Sequence, residues 1–238
     1  MPTTSSKESV KITLPFVSRK RERAQLERLH AQSRHAFILG PAGVGKTALV
    51  NRLKTKLDLL VCPQSEHLGP IFQSIETQLG LNPHGLKLLA RNRRLLRALV
   101  EAQRTAVFDG VNWITPKLSS FLESVMERVP IWICTRSERS RDIGHFWTLL
   151  VRFTKIELPP LRPAETRACV NIAVESGLVP PPALQMIEWL HHRSKGNPRV
   201  LQELCAELAA HHYDPSNPRA LRRLDLDRRI HEVFPLAP

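Results

Sequence analysis

The sequence predicts an α/β fold: a five-stranded parallel sheet sandwiched by helices and followed by a small all-helical lid. Five short apolar runs recur along the chain, helical patterns separate them, and no further strand-like run follows Pro159-Pro160. Strands that alternate with helices favour a parallel sheet covered on both faces. A chain of 238 residues that is 42% hydrophobic is long and apolar enough to form such a core.

The five predicted strands are apolar runs bounded by polar or turn residues. They cover residues 35–39, 58–62, 105–108, 131–135 and 155–158. Short apolar runs with turn signals on both sides are typical of fully buried strands.

The predicted helices follow from apolar spacing and from residues that favour helix starts. Ser18 is predicted to cap a first helix over residues 19–33. Between the strands, helices are predicted over 46–57, over two segments within 69–103, over 116–128 and over 139–151. Three helices that begin with proline are predicted over 163–176, 182–193 and 198–212. The chain therefore divides into a flexible leader (1–14), an α/β core (15–160), the helical lid (161–212) and a basic tail (213–238).

The loop between the first strand and the next helix carries a phosphate-binding motif. It reads Gly40-Pro41-Ala42-Gly43-Val44-Gly45-Lys46-Thr47. The spacing is that of a P-loop, and the strand before it and helix after it are the context that the motif requires. Glycines allow a tight turn whose amides point at phosphate oxygens, and the helix N-terminus adds positive charge. We expect a P-loop NTPase fold that binds ATP with Mg²⁺ through these residues and Ala48.

Two residues of the motif and one later carboxylate are expected to do the chemistry. Lys46 is expected to reach the β- and γ-phosphates, and the Thr47 hydroxyl to ligate Mg²⁺. Asp109, which ends the third apolar run, is expected to hold the same ion directly or through water. Gly110 follows, where many related ATPases have a glutamate that polarises the attacking water. Without a placed base, hydrolysis loses a factor of about 10² to 10⁴, so we expect it to be slow or partner-stimulated, with Asn112 at most orienting water.

The charge of the chain suggests a polyanionic partner. The net charge is +13 and the isoelectric point about 10.4, and nucleic acid is the first candidate. One predicted helix has a basic stripe opposite Leu88, Leu95, Leu96 and Leu99; the stripe consists of Lys87, Arg91, Arg94 and Arg97. Aromatic residues are only 5% of the chain, so we expect non-specific, phosphate-led DNA binding. The alternative is the solvated face of an amphipathic helix. An arginine cluster over 219–229 is a second basic patch.

Several function classes are disfavoured. No apolar run is long enough to span a bilayer and the start has no secretory signal, so we expect a cytoplasmic chain without a membrane partner. The four cysteines lie far apart, which favours core or free thiols. The pairs His191-His192 and His211-His212 lack the spacing of a helical metal site and are interpreted as surface residues.

Together these elements resemble the AAA+ and STAND division of P-loop ATPases, in particular the origin-recognition and transposition-regulator type. The resemblance covers about residues 15–210. Phe16-Val17-Ser18-Arg19 resembles the N-terminal box of the family, usually Phe-Val-Gly-Arg-Glu, which lies near the adenine. It implies nucleotide contacts for Val17 and Arg19, although Ser18 replaces the usual glycine. The run 131–135 resembles the sensor-1 strand, which implies a catalytic role for Thr135; Thr135-Arg136 also resembles the STAND version.

The same resemblance implies nucleotide contacts for two arginines. Arg152-Phe153 resembles a pair whose arginine acts on the nucleotide of a neighbouring subunit, so Arg152 is the candidate trans-acting catalytic residue. Gly196-Asn-Pro-Arg199 resembles both sensor 2 and the Gly-x-Pro element of STAND proteins, which implies that Arg199 contacts the γ-phosphate.

The function expected from these observations is an ATP-binding switch that forms a homo-oligomer on DNA when loaded with ATP. It would recruit or regulate an unidentified DNA-processing protein of the transposition or replication type. One alternative is a STAND-type signalling switch that acts through protein partners, and another is a small-molecule kinase. The absence of an Asn/Thr-Lys-x-Asp guanine motif favours ATP over GTP.

Overall fold

The computed structural model describes residues 12–82, 85–211, 213–214 and 216–233. They divide into two compact units. The α/β unit comprises residues 19–159, and the helical unit comprises the described residues up to Ser18 and those from Pro160 onward. Residues 1–11 of the predicted leader, His212 of the second histidine pair and the proline-rich end over 234–238 lie outside the described residues.

The α/β unit is built on a five-stranded sheet. Its strands are β1 (Ala36–Leu39), β2 (Leu59–Cys62), β3 (Thr105–Phe108), β4 (Ile131–Thr135) and β5 (Thr154–Glu157). Their order is β2-β3-β4-β1-β5 and every pair is parallel. The predicted fold class is therefore confirmed. In the register, Leu39 lies opposite Thr135 and Cys62 opposite Phe108, so the loops after these strands leave the sheet at one edge.

Alternating side chains of the strands fill two hydrophobic cores, one on each face of the sheet. In β4, Ile131 and Ile133 belong to the core beneath the helices after β2, whereas Trp132 and Cys134 belong to the core beneath the first two helices. Both faces are covered, which explains why the strands are continuous apolar runs rather than alternating ones.

The helices of this unit follow the predicted pattern with two differences. They are α1 (Lys20–Ala31), α2 (Lys46–Lys54), α3 (Leu68–Leu79), α4 (Leu88–Ala102), α5 (Pro116–Met126) and the short α6 (Ser140–Ile143). A 3-10 helix over Gly144–Arg152 follows α6, where one continuous helix was predicted. The predicted cap at Ser18 is wrong: Arg19 is the N-cap, and Ser18 and Arg19 both have positive φ, at 67° and 61°.

The helical unit contains α7 (Pro163–Glu175), a 3-10 helix (Pro181–Met186), α8 (Ile187–Ser194), α9 (Pro198–Ala210) and α10 (Pro218–Val233). Its core includes Leu190, Leu201 and Leu204. The predicted tail thus contains a helix, α10, which packs on α9 and buries Leu224 in this core.

Cysteine burial agrees with the prediction of core thiols, since all four are buried and free. Burial raises the pKa of Cys62 and of Cys205 to about 12 and that of Cys169 to about 11. Within the described part of the chain, no helix combines the length and the apolar character that a membrane span requires.

Candidate nucleotide-binding site

The P-loop connects β1 to α2 at the carboxyl edge of the sheet. Gly43 and Gly45 have positive φ, and α2 begins at Lys46 directly after Gly45. Val44 is buried and anchors the loop, whereas Pro41, Ala42, Thr47 and Ala48 are exposed. The first residues of α2 and the middle of the loop are therefore accessible from outside.

Lys46 lies against the inside of this loop. Its Nζ donates hydrogen bonds to the Gly40 carbonyl at 2.6 Å and the Pro41 carbonyl at 3.0 Å. Burial lowers the pKa of Lys46, Arg136 acts in the same direction, and Cys134 and Asp109 oppose it. The ammonium is thus partly stripped of water, which strengthens its interaction with any anion that the loop receives.

Thr47 and Asp109 meet across the sheet. The Thr47 hydroxyl donates to Asp109 Oδ2 at 2.6 Å, and Asp109 is only 4% exposed. A hydroxyl and a carboxylate side by side offer two oxygen ligands. This suits Mg²⁺, which is usually bound by few protein ligands and retains several water molecules. These two residues therefore fit a magnesium ion. Among the described residues, no group of three or more His, Cys, Asp or Glu side chains could hold a metal ion.

Cys134 is a neighbour of this pair that the sequence analysis missed as a site residue. Its thiol is fully buried, and burial raises its pKa well above the ordinary value, with the negative charge of Asp109 acting in the same direction. Cys134 therefore stays a neutral thiol beside the carboxylate. The sequence signal that could have identified Cys134 is its position one residue before the end of a predicted strand. It lies on the face of the sheet that α2 covers.

The end of β4 brings two polar residues to the site. Thr135 is buried, and its hydroxyl donates to the Ser137 carbonyl at 3.1 Å. The amide of Gly40, the first residue of the P-loop, donates to the Thr135 carbonyl at 3.3 Å. Arg136 is exposed and lies close enough to Lys46 to influence its pKa. Arg136 is a second residue that sequence reasoning did not assign to the site.

Arg19 supports the P-loop from within the α/β unit. It is 5% exposed, and its Nη2 donates to the Val44 carbonyl at 3.3 Å and to the Pro159 carbonyl. Its Nη1 lies 3.3 Å from Glu22 Oε1. These bonds hold the guanidinium against the backbone of the P-loop, and its contact with a nucleotide stays a prediction. Val17 belongs to the helical unit and packs against its core.

The two arginines implied by resemblance are both accessible. Arg152 ends the 3-10 helix after α6; its side chain is 46% exposed and lies 3.5 Å from Glu127. Arg199, in the first turn of α9, is 66% exposed and its Nε donates to Glu203 at 2.9 Å. Exposed ion pairs of this kind contribute little to stability, so either guanidinium can change partners at small cost.

The basic stripe of α4 is interrupted. Arg91 donates twice to the buried Glu76, at 2.6 Å each, and lies over the Phe72 ring. It is therefore committed to α3 and departs from the predicted solvent-facing stripe, whereas Lys87, Arg94 and Arg97 are exposed. Of the leucines placed opposite the stripe, Leu95 and Leu99 are buried, whereas Leu88, at the start of α4, is 60% exposed.

The sheet order, the P-loop after β1 and the carboxylate after β3 define the fold of the P-loop ATPases of the AAA+ type. The structure is similar to the Orc1 protein of Aeropyrum pernix in complex with DNA, with 18% identity, a TM-score of 0.62 and coverage of 97% of this chain and 70% of that one. It is also similar to a Walker-type ATPase of Pyrococcus abyssi, with 17% identity, a TM-score of 0.64 and coverage of 91% and 73%.

A third similar structure is a STAND protein with a tetratricopeptide repeat sensor from Pyrococcus horikoshii. Identity is 18%, the TM-score is 0.51, and the match covers 94% of this chain but 34% of that protein. This chain thus spans about a third of its length. No family model and no curated protein matches the sequence.

Proposed function

We propose that this protein is an ATP-binding switch that assembles on DNA as a homo-oligomer when it holds ATP. The observation that carries the proposal is the hydrogen bond of 2.6 Å between Thr47, beside Lys46 at the end of the P-loop, and the buried Asp109. It joins a phosphate cradle to a carboxylate suited to Mg²⁺. The bound ion would offset charge on the phosphates.

The bound ATP serves mainly as a signal, because hydrolysis is slow or needs a partner. Gly110 contributes no carboxylate after Asp109. The γ-phosphate distinguishes ATP from ADP, and planar guanidinium groups match its oxygens well. Arg199 would contact it, and Arg152 would contact it in a neighbouring subunit. Both side chains are exposed, which supports these roles.

DNA binding is supported by the net charge of +13 and by the exposed cations of α4. The similar Orc1 protein was solved in complex with DNA. We propose contacts to phosphates without base readout, and a role in recruiting or regulating a DNA-processing protein, as in transposition or replication.

The second candidate is a STAND-type signalling switch that acts through protein partners. It is favoured by Arg136, which lies near Lys46 directly after Thr135, and by the similarity to a STAND protein.

Negative-stain imaging with a non-hydrolysable ATP analogue separates these functions. We expect rings or filaments that require both the analogue and duplex DNA. Assemblies that ignore DNA would support the signalling switch. Monomers under every condition would contradict both and favour a small-molecule kinase.

Arg152→Ala is expected to abolish ATP-dependent assembly and to leave the Kd of the monomer for ATP within about threefold. The reason is that Arg152 would serve the neighbour's nucleotide. Mass photometry measures assembly, and a fluorescent ATP analogue measures binding. Arg141→Ala removes an arginine that is also exposed, from α6, and should assemble normally. If monomeric Arg152→Ala loses affinity for ATP, Arg152 does not have the proposed role.

Replacing Lys87, Arg94 and Arg97 together by alanine is expected to weaken DNA binding and to reduce the slope of log Kd against log salt by about 2 to 3. The reason is that fewer counterions are released from DNA on binding when phosphate contacts are lost. The matched control removes the same charge from α1, where Lys20, Arg21 and Arg28 are exposed. Equal slopes for the two variants in a fluorescence-anisotropy salt series would contradict the assignment of the α4 surface.

A further inference from the structure

The position after Asp109 is shaped for glycine. Gly110 has φ +80°, in the left-handed region that residues with a Cβ rarely adopt. A glutamate there would have to adopt this left-handed backbone, which costs about 1 kcal/mol. A carboxylate for water activation can instead come from another segment at the same edge of the sheet.

The neighbouring strand supplies that segment. β2 pairs with β3 so that Cys62 lies opposite Phe108, and the chains that continue to Glu66 and to Asp109 leave the sheet side by side. The amide of Asp109 donates to the Cys62 carbonyl at 2.9 Å, and the amide of Ser65 donates to the Asp109 carbonyl at 3.0 Å. The hydroxyl of Ser65, which is fully buried, donates to the Cys62 carbonyl at 2.9 Å. The residue before Glu66 is thus tied directly to the backbone of Asp109.

Asn112 holds the Glu66 carboxylate from the β3 side. Its Nδ2 donates to Glu66 Oε1 and to the Gly110 carbonyl, both at 3.1 Å. Glu66 is otherwise exposed, so its carboxylate remains accessible to water. Asn112 Oδ1 is buried and has no hydrogen-bond partner among the described residues. The orientation of the Asn112 amide is therefore set by the two hydrogen bonds of its Nδ2.

We infer that Glu66 is the general base for hydrolysis, in place of the carboxylate absent at Gly110, and that Asn112 is its positioning residue. The inference rests on the proposed ATP-binding function. Glu66 would be the base in the slow or partner-stimulated hydrolysis of the bound ATP. Glu66 takes a proton from water as the water oxygen bonds to the γ-phosphorus. The bond from that phosphorus to the β–γ bridging oxygen breaks, the electron pair leaves with ADP, and inorganic phosphate is released.

The test is single-turnover ATP hydrolysis by the full chain carrying Glu66→Gln, with and without duplex DNA. Glutamine keeps the size and the hydrogen-bond acceptor but is not a base. We expect the rate to fall by at least about 100-fold, with the Kd for a fluorescent ATP analogue within about threefold of the unsubstituted protein. The matched control is Glu138→Gln, which neutralises a carboxylate in the loop after β4 that pairs with Lys155. Its rate should stay within about twofold.

Asn112→Ala tests the positioning role. We expect the rate to fall by about tenfold in the otherwise unsubstituted protein and not to fall further when Glu66 is already glutamine, because Asn112 acts through Glu66. An equal fall in both backgrounds, together with a lower melting temperature, would show a merely structural role and would overturn the positioning assignment.

The outcomes separate this inference from the function on which it rests. A Glu66→Gln protein that hydrolyses ATP within about threefold of the original rate overturns the inference. So does an unsubstituted protein that binds ATP but hydrolyses none of it with or without DNA, and in that case the ATP-binding switch stands. Failure to bind the ATP analogue at all, seen in the binding titration before any rate is measured, removes the proposed function and the inference together.

Discussion

Lys46→Ala is expected to weaken ATP binding by at least about 100-fold. The Lys46 ammonium lies against the inside of the P-loop, bonded to the Gly40 and Pro41 carbonyls. Two charge-assisted hydrogen bonds to phosphate oxygens would contribute about 3 kcal/mol, which corresponds to about 100-fold in Kd. Titration with a fluorescent ATP analogue and Mg²⁺ measures the change.

The control for this variant is Lys54→Ala, which removes the same charge from an exposed position in the same helix. It should bind ATP normally. Removing Lys46 also relieves a partly buried charge, so the melting temperature of Lys46→Ala should lie within about 3 °C of the original. A folded Lys46→Ala protein that binds ATP as tightly as Lys54→Ala would contradict the assignment of the P-loop.

Gly196→Ala is expected to destabilise the helical unit by about 3 to 5 kcal/mol. A Cβ on Gly196 would lie 2.2 Å from the Leu161 carbonyl oxygen, and φ is +68°. The Leu161 amide also donates to the Gly196 carbonyl at 2.7 Å, so the two backbones cannot separate without losing this bond. Denaturant unfolding followed by circular dichroism measures the loss.

Gly177→Ala separates the contact from the backbone strain. Gly177 has the same φ of +68°, but nothing lies within 4 Å of its added Cβ. Gly177→Ala should lower the free energy of unfolding by only about 1 kcal/mol, the cost of a left-handed backbone at a residue with a Cβ. If both alanine variants lose the same stability, the close approach of Leu161 does not matter and Gly196 is kept for another reason.

The sheet was predictable because its signal is local. Strands buried on both faces are continuous apolar runs, and the run over 105–108 matches β3 residue for residue. The prediction of an N-cap at Ser18 was wrong because capping propensity describes only neighbours along the chain. The bonds that Arg19 makes to the Val44 and Pro159 carbonyls join residues far apart in sequence, and they accompany a left-handed backbone at the helix start.

The candidate site was predictable where spacing determines geometry. A P-loop after one strand and a carboxylate after another meet at one edge of a parallel sheet, as Thr47 and Asp109 do. The partner of Arg91 was not predictable, because helical periodicity places Arg91 on a face but does not reveal that Glu76 of α3 lies against it. Glu66 belongs to no motif, and only the pairing of β2 with β3 brings it beside Asn112.

The hydrogen bond from Arg19 to Pro159 has a topological consequence. These are the first and last residues of the α/β unit, so the two ends of that unit meet. In chain order the whole unit is an insertion between Ser18 and Pro160 of the helical unit. Units whose ends lie together tolerate excision and circular permutation. A short linker from residue 159 to residue 19 would permit new termini in an exposed loop.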